Sequence, residues 1–130
     1  MTTPTQARAA SGLAFDLPMP PSVNSMFKNV PGKGRVRTKE YKAWAHEAGW
    51  MLIAQRNQHK RHHNCLTGPV SIDVEAYKPA SKKRDLDNIL KAICDLLTNT
   101  KTIADDSQIV AINARWVDAG VPCTVTVRPA

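Results

Sequence analysis

The chain has 130 residues, with 18 Lys and Arg against 11 Asp and Glu, and a formal charge of +7 at pH 7. That length suits one domain with a real core rather than two, and the cationic excess favours an anionic partner while saying nothing of fold. The three cysteines are odd in number and lack C-x-x-C spacing, which argues against a disulfide framework and for a reducing compartment.

Residues 1–12, MTTPTQARAASG, are small and polar and predict a disordered tail ahead of a folded domain over residues 13–130. The tail has no continuous apolar segment of the signal-peptide kind. No run of about 18 apolar residues could span a bilayer. A soluble, cytoplasmic protein with no membrane partner is expected.

A short strand over Leu13–Leu17 is closed by Pro18, Pro20 and Pro21. Residues 28–37 place Pro31, Gly32 and Gly34 among Lys28, Lys33, Arg35 and Arg37, and read as a mobile basic loop. Tyr41, Trp44, Ala45, Ala48, Met51 and Leu52 then recur at helical spacing. With Thr38 as N-cap and Glu40 in the first turn, they predict a helix over about residues 39–58. Trp44 and Trp50 read as core of that helix rather than as base-stacking groups.

VSIDVEAY, Val70–Tyr77, alternates apolar and polar and predicts a half-buried strand. Leu86, Ile89, Leu90, Ile93, Leu96 and Leu97 form the stripe of a second amphipathic helix, with Asn99 in the left-handed position that ends it. Two further strands are expected at Ile109–Val117 and at residues 123–128. The order is β-α-β-α-β-β, which predicts an α+β domain whose helices pack on one face of a mixed sheet.

The second helix opens on KKRDLDN, in which Asp85 and Asp87 stand against Lys82, Lys83 and Arg84. An aspartate at a helix start commonly caps a free backbone N–H. One aspartate suffices for that. Here a second sits two residues away, and Asp105–Asp106 follow just before a strand. The helix between is only about 16 Å long, so TNTKTIA can bring the later pair back to its start. Three carboxylates meeting there make an all-oxygen site suited to Mg²⁺ or Mn²⁺. Neighbouring cations, Lys91 among them, would hold phosphate oxygens, a composition that points to metal-dependent phosphodiester cleavage.

Three motifs, PPSVN (residues 20–24), RDLDNILKAICDLL (residues 84–97) and DDSQIV (residues 105–110), occur in this order and spacing. In them the chain from about Leu13 onward resembles the RusA-like Holliday junction resolvases. The resemblance implies a small homodimeric endonuclease that binds four-way DNA junctions and cuts them with Mg²⁺. It leaves 5′-phosphate and 3′-hydroxyl ends and acts in recombination and repair at the nucleoid, with no small-molecule cofactor. The family's catalytic carboxylates fall on Asp85, Asp87 and Asp106, which would hold the metal, and its lysine falls on Lys91. Asp105 and Asn88 would support them. Lys82, Lys83, Arg84, Lys28, Lys33, Arg35, Arg37 and Asn24 would track DNA, and Phe27 would wedge into or stack on an open base. Family members often carry a glycine or an aromatic residue before the later Asp pair, where this chain has TNTKTIA.

Three other readings remain: a non-catalytic protein that binds branched DNA, a metal-dependent nuclease acting on flaps, forks or RNA, and a protein that binds an anionic protein. His59, His62, His63 and Cys65 lack paired metal-ligand spacing and read as a solvated cluster rather than a zinc site.

Overall fold

The computed structural model describes residues 12–58, 65–78 and 84–130. Nearly all of the expected tail, the three histidines at 59, 62 and 63, and the cations Lys82 and Lys83 lie outside the described residues.

Strand β1 (Leu13–Leu17) buries Leu13, Phe15 and Leu17 and turns Asp16 outward. The proline-rich segment after it leads through a single 3-10 turn, Val23–Ser25, into β2 (Phe27–Val30) and β3 (Gly34–Arg37). These two pair antiparallel as a separate hairpin. The stretch expected to be a mobile loop is therefore ordered. Gly32 and Gly34, with φ of 80° and 76°, supply the left-handed backbone its turn needs.

Helix α1 (Lys39–Asn57) starts where the sequence placed it. The Thr38 hydroxyl accepts from the Tyr41 N–H at 3.1 Å and donates to the Ser25 carbonyl at 2.6 Å. One side chain thus caps α1 and ties it to the turn ahead of the hairpin. Tyr41, Trp44, Ala48 and Leu52 form the buried stripe of α1. Trp50 does not belong to it: it is 66% exposed, with His46 against its edge. The stripe repeats every three to four residues, and position 50 falls on the opposite side.

Strand β4 (Val70–Tyr77) leads to a 3-10 turn, Leu86–Ile89, and then to α2 (Leu90–Asn99). A further 3-10 turn, Asp106–Gln108, precedes β5 (Ile109–Val117), and β6 (Cys123–Pro129) closes the chain. The main sheet is mixed, in the order β1-β6-β4-β5, with β4 and β5 parallel and the other pairs antiparallel. Both helices share one core with it: Ile89, Ala92, Ile93 and Leu97 join Phe15, Leu52, Ile72, Val74 and Val125. The domain is α+β as expected, with the hairpin inserted between the first strand and the first helix.

Asn99 is the last residue of α2, but the left-handed residue is Lys101, with φ of 59°. Thr102 and Ile103 behind it are fully buried, so the chain turns inward at Lys101 to deliver them.

The two edges of the sheet differ. On β1 the Gln55 amide accepts from the Asp16 N–H at 2.7 Å and donates to the Asp16 carbonyl at 2.8 Å, occupying edge groups. At the opposite edge, β5 exposes Val110 and Ile112.

Replacing Thr38 with valine keeps its shape and removes both hydrogen bonds. Urea unfolding is expected to show a loss of about 1 to 2 kcal/mol.

Candidate active site and nucleic-acid face

Arg84 and Asp85 lead into the 3-10 turn, and three contacts fix the ground around them. The Arg84 guanidinium donates to the Pro20 carbonyl at 2.9 Å, the Trp44 indole to the Pro18 carbonyl at 3.0 Å, and the Thr38 N–H to the Met26 carbonyl at 3.0 Å. Together they hold the PPSVN loop against the start of α1 and the start of the aspartate segment. The result is an open polar cleft of about 600 Å³ lined by Ser22, Asn24, Ser25, Glu40, Arg84, Asp85 and Asn88. Glu40 was seen in the sequence only as a first-turn acid. Its place in the cleft depends on the loop folding back over α1, which no local pattern reports.

Asp85 occupies the N-cap position of its turn, yet its carboxylate makes no capping hydrogen bond. Asp85 and Asp87 are both exposed. Asp105 behaves in the opposite way. Its carboxylate accepts from the Ser107 N–H at 2.9 Å in a capping box with Gln108, and this hydrogen bond holds its pKa below the usual carboxylate value. Asp106, next to it, is exposed in the first turn.

The turn carrying Asp106 packs on α2, and the turn carrying Asp87 packs on β5. Lys91, one helical turn past Asp87, donates to Asp95 at 3.1 Å. That hydrogen bond and the Asp95 charge raise its pKa above the ordinary lysine value, with a smaller contribution from Asp106. Lys91 is therefore a protonated cation within the field of Asp106. Asp95 is not merely solvent-facing: it is half-buried and also accepts from the Tyr41 hydroxyl at 3.3 Å.

In kind, these donors suit a hard divalent cation, being exposed carboxylates next to a protonated lysine. Among the described residues, however, no three His, Cys, Asp or Glu side chains converge closely enough to hold an ion. The fold brings the aspartate turns to one region without closing their side chains on one point.

Asn24, Phe27, Lys28 and Arg35 border a second, smaller hollow beside the cleft, together with Val23 and Asn29. The Arg35 guanidinium lies 4.3 Å from the Phe27 ring centroid, and Arg37 lies 5.4 Å from that of Tyr41. The Phe27 and Tyr41 rings meet edge-on at 5.7 Å. Phe27 is thus half-buried and already engaged, with Arg35 over its ring and Tyr41, at the start of α1, against its edge. Lys28 and Lys33 stand exposed on the same hairpin. On the polar face of β4, Asp73 pairs with Arg128 and Glu75 with Arg115.

The domain thus sets exposed aspartates and a lysine at one helix start, beside a cationic hairpin. The sequence profile described as "Endodeoxyribonuclease RusA" matches residues 18–128. The chain is 33% identical over 97 residues to the crossover junction endodeoxyribonuclease RusA of Escherichia coli K12, covering 75% of this chain and 76% of that one. The corresponding protein of Enterobacteria phage 82 is 32% identical over 94 residues, covering 72% and 73%. That of Shigella sonnei is 31% identical over 97 residues, covering 75% and 76%. This chain belongs to the RusA family of endodeoxyribonucleases. It is an enzyme that hydrolyses DNA, and nucleases of the family work with a divalent metal. No helix among the described residues is long and apolar enough to cross a membrane.

The Lys91–Asp95–Tyr41 group carries a pH signature. Burial, followed by the Asp95 charge, raises the Tyr41 phenol, as Asp95 raises Lys91. Both folded pKa values lie above their unfolded ones. The stabilisation is therefore complete below about pH 10 and is lost as pH rises through the folded values. Asp95→Asn is expected to cost about 0.5 kcal/mol at pH 7, since the pair is half exposed. Urea unfolding at pH 7, 9 and 11 should show that difference shrinking only at the highest pH.

Proposed function

We propose that the protein is a Mg²⁺-dependent Holliday junction resolvase that nicks two opposed strands of a four-way DNA junction. The observation that carries this reading is the state of the aspartates at the helix start. Asp85 sits where a cap belongs and does not cap, and Asp87 is exposed beside it, while the capping role in the later pair falls to Asp105. Asp85, Asp87 and Asp106 are thus exposed and open to a cation.

In this reading those three carboxylates, whose side chains do not converge on one point, would move onto Mg²⁺ as it binds, with Mn²⁺ able to replace it. An ion held there supplies a water of lowered pKa and counter-charge for the phosphorus oxygens. Lys91, a cation at neutral pH whose pKa Asp95 raises further, meets the phosphate or the leaving oxygen. Asn88 and Asn24 border the cleft that receives the neighbouring nucleotide. Arg84, held by the Pro20 carbonyl, fixes the cleft wall. Lys28, Lys33, Arg35 and Arg37 follow the DNA backbone along the hairpin.

Paired nicking of a symmetric junction requires two sites, and so a C2 homodimer. The open β5 edge, with Val110 and Ile112 exposed, supports such an assembly. Residues 13–130 form the catalytic domain, which works on DNA in the cytoplasm at the nucleoid.

A labelled four-way junction and the same sequences as linear duplex, each with Mg²⁺ or with EDTA, test the reading. Wild type should make paired nicks in the junction alone and only with Mg²⁺. Asp87→Asn should bind the junction but cut it slower by about a hundred-fold or more. Binding without cutting under any divalent metal would leave a branched-DNA-binding protein. Equal cutting of flaps and forks would make it a less selective nuclease.

A further inference from the structure

Gln108 ends the DDSQ segment and takes no part in holding the metal or the phosphate. Its side-chain amide is nevertheless satisfied on every side that the geometry offers. The Oε1 atom accepts from the Ala104 N–H at 2.7 Å and the Asp105 N–H at 2.9 Å. The Nε2 group donates to the Leu66 carbonyl at 3.0 Å and the Gly68 carbonyl at 2.8 Å. Segment 65–68 is in turn held from below, where the Leu66 N–H donates to the Thr102 carbonyl at 2.9 Å and Leu66 bridges Ile103 in parallel. One half-buried amide therefore clamps the backbone on the approach to Asp106 to a segment about 40 residues away in sequence.

We propose that Gln108 is a positioning residue for the reaction: its amide sets the Asp105–Asp106 backbone and thereby aims the Asp106 carboxylate. This rests on Asp106 being one of the working carboxylates. The physical reason lies in the pattern of the four hydrogen bonds. Asp106 is exposed and sits on a three-residue turn, so neither core packing nor a long helix fixes it. The Asp105 cap stays within the turn itself, on the Ser107 and Gln108 N–H groups. The Gln108 amide ties the turn to a distant part of the chain. Both halves of the amide are needed, an acceptor for the turn and a donor for the 65–68 segment. A glutamate keeps the acceptor but sets carboxylate oxygens against two carbonyl oxygens.

The test compares wild type, Gln108→Glu, Gln108→Ala and Asp106→Asn. It measures junction cleavage against Mg²⁺ concentration, junction affinity in EDTA, and Mn²⁺ binding to the DNA-free protein followed by loss of the free-ion EPR signal. Near-ultraviolet circular dichroism and retained junction affinity show that a variant is folded, and Gln108→Ala, which introduces no repulsion, serves if Gln108→Glu is not. A folded Gln108 variant should cleave slower by about ten-fold or more at fixed Mg²⁺. It should need more Mg²⁺ for half-maximal rate and bind Mn²⁺ more weakly, with junction affinity within about two-fold of wild type. Wild-type Mn²⁺ binding and Mg²⁺ dependence in a folded Gln108 variant, alongside an inactive Asp106→Asn, would overturn the positioning role alone. Wild-type cleavage by Asp106→Asn would overturn both that role and the catalytic reading beneath it.

Discussion

The parallel pairing of β4 and β5 is the constraint on which the site depends. Parallel neighbours cannot be joined by a tight turn; the chain must leave the sheet and return through a crossover. In this protein the crossover carries five of the 11 acidic residues: Asp85 and Asp87 ahead of the helix, Asp95 on it, and Asp105 and Asp106 where the strand resumes. The stripe of Ile89, Ile93, Leu96 and Leu97 buries that helix in the common core. The turn ahead of it remains at the surface, where exposed carboxylates are cheap to keep charged. The returning segment is drawn inward by Thr102 and Ile103 and then held by Gln108, which sets Asp106 in the field of Lys91. Stability and site placement thus come from the same connection.

Around that crossover the N-terminal third of the chain supplies one wall of the cleft. Trp44, Thr38 and Arg84 each bond a carbonyl of the loop between β1 and the hairpin, so one loop is held from both sides of the cleft. Cations gathered at residues 28–37 are likewise not free to roam. Arg35 and Arg37 lie over Phe27 and Tyr41, an arrangement that keeps guanidinium groups outward at small entropic cost. Four of the 18 Lys and Arg residues, Lys28, Lys33, Arg35 and Arg37, thus stand on one hairpin beside the cleft.

Much of this was legible in the residues. The strict alternation of Val70–Tyr77 and the helical recurrence from Tyr41 to Leu52 each arise from burying one face, and the structure has both. The hairpin was not legible, because its two four-residue strands are mostly exposed and leave no alternating apolar signal. Only Gly32 and Gly34 announced a turn. The helix stop was misplaced by two residues, since the turn at Lys101 is imposed by the burial of Thr102 and Ile103 and not by the amide of Asn99. The aspartate pairs could be read as special from their number, whereas the identity of the one that caps depended on backbone geometry. Gln108 lay within reach, because Asp105-x-x-Gln108 has capping-box spacing, but its bonds to Leu66 and Gly68 are long-range and invisible in sequence.

The central claim is that the aspartates at the crossover are a metal site rather than helix caps. Titrating Mn²⁺ into ¹⁵N-labelled protein and monitoring paramagnetic broadening of the amide resonances tests it most directly. A metal site predicts that the amides of Asp85, Asp87 and Asp106 broaden first and together, and that excess Mg²⁺ reverses the effect. Broadening that begins elsewhere, or that spares these three while other acidic positions respond, would contradict it.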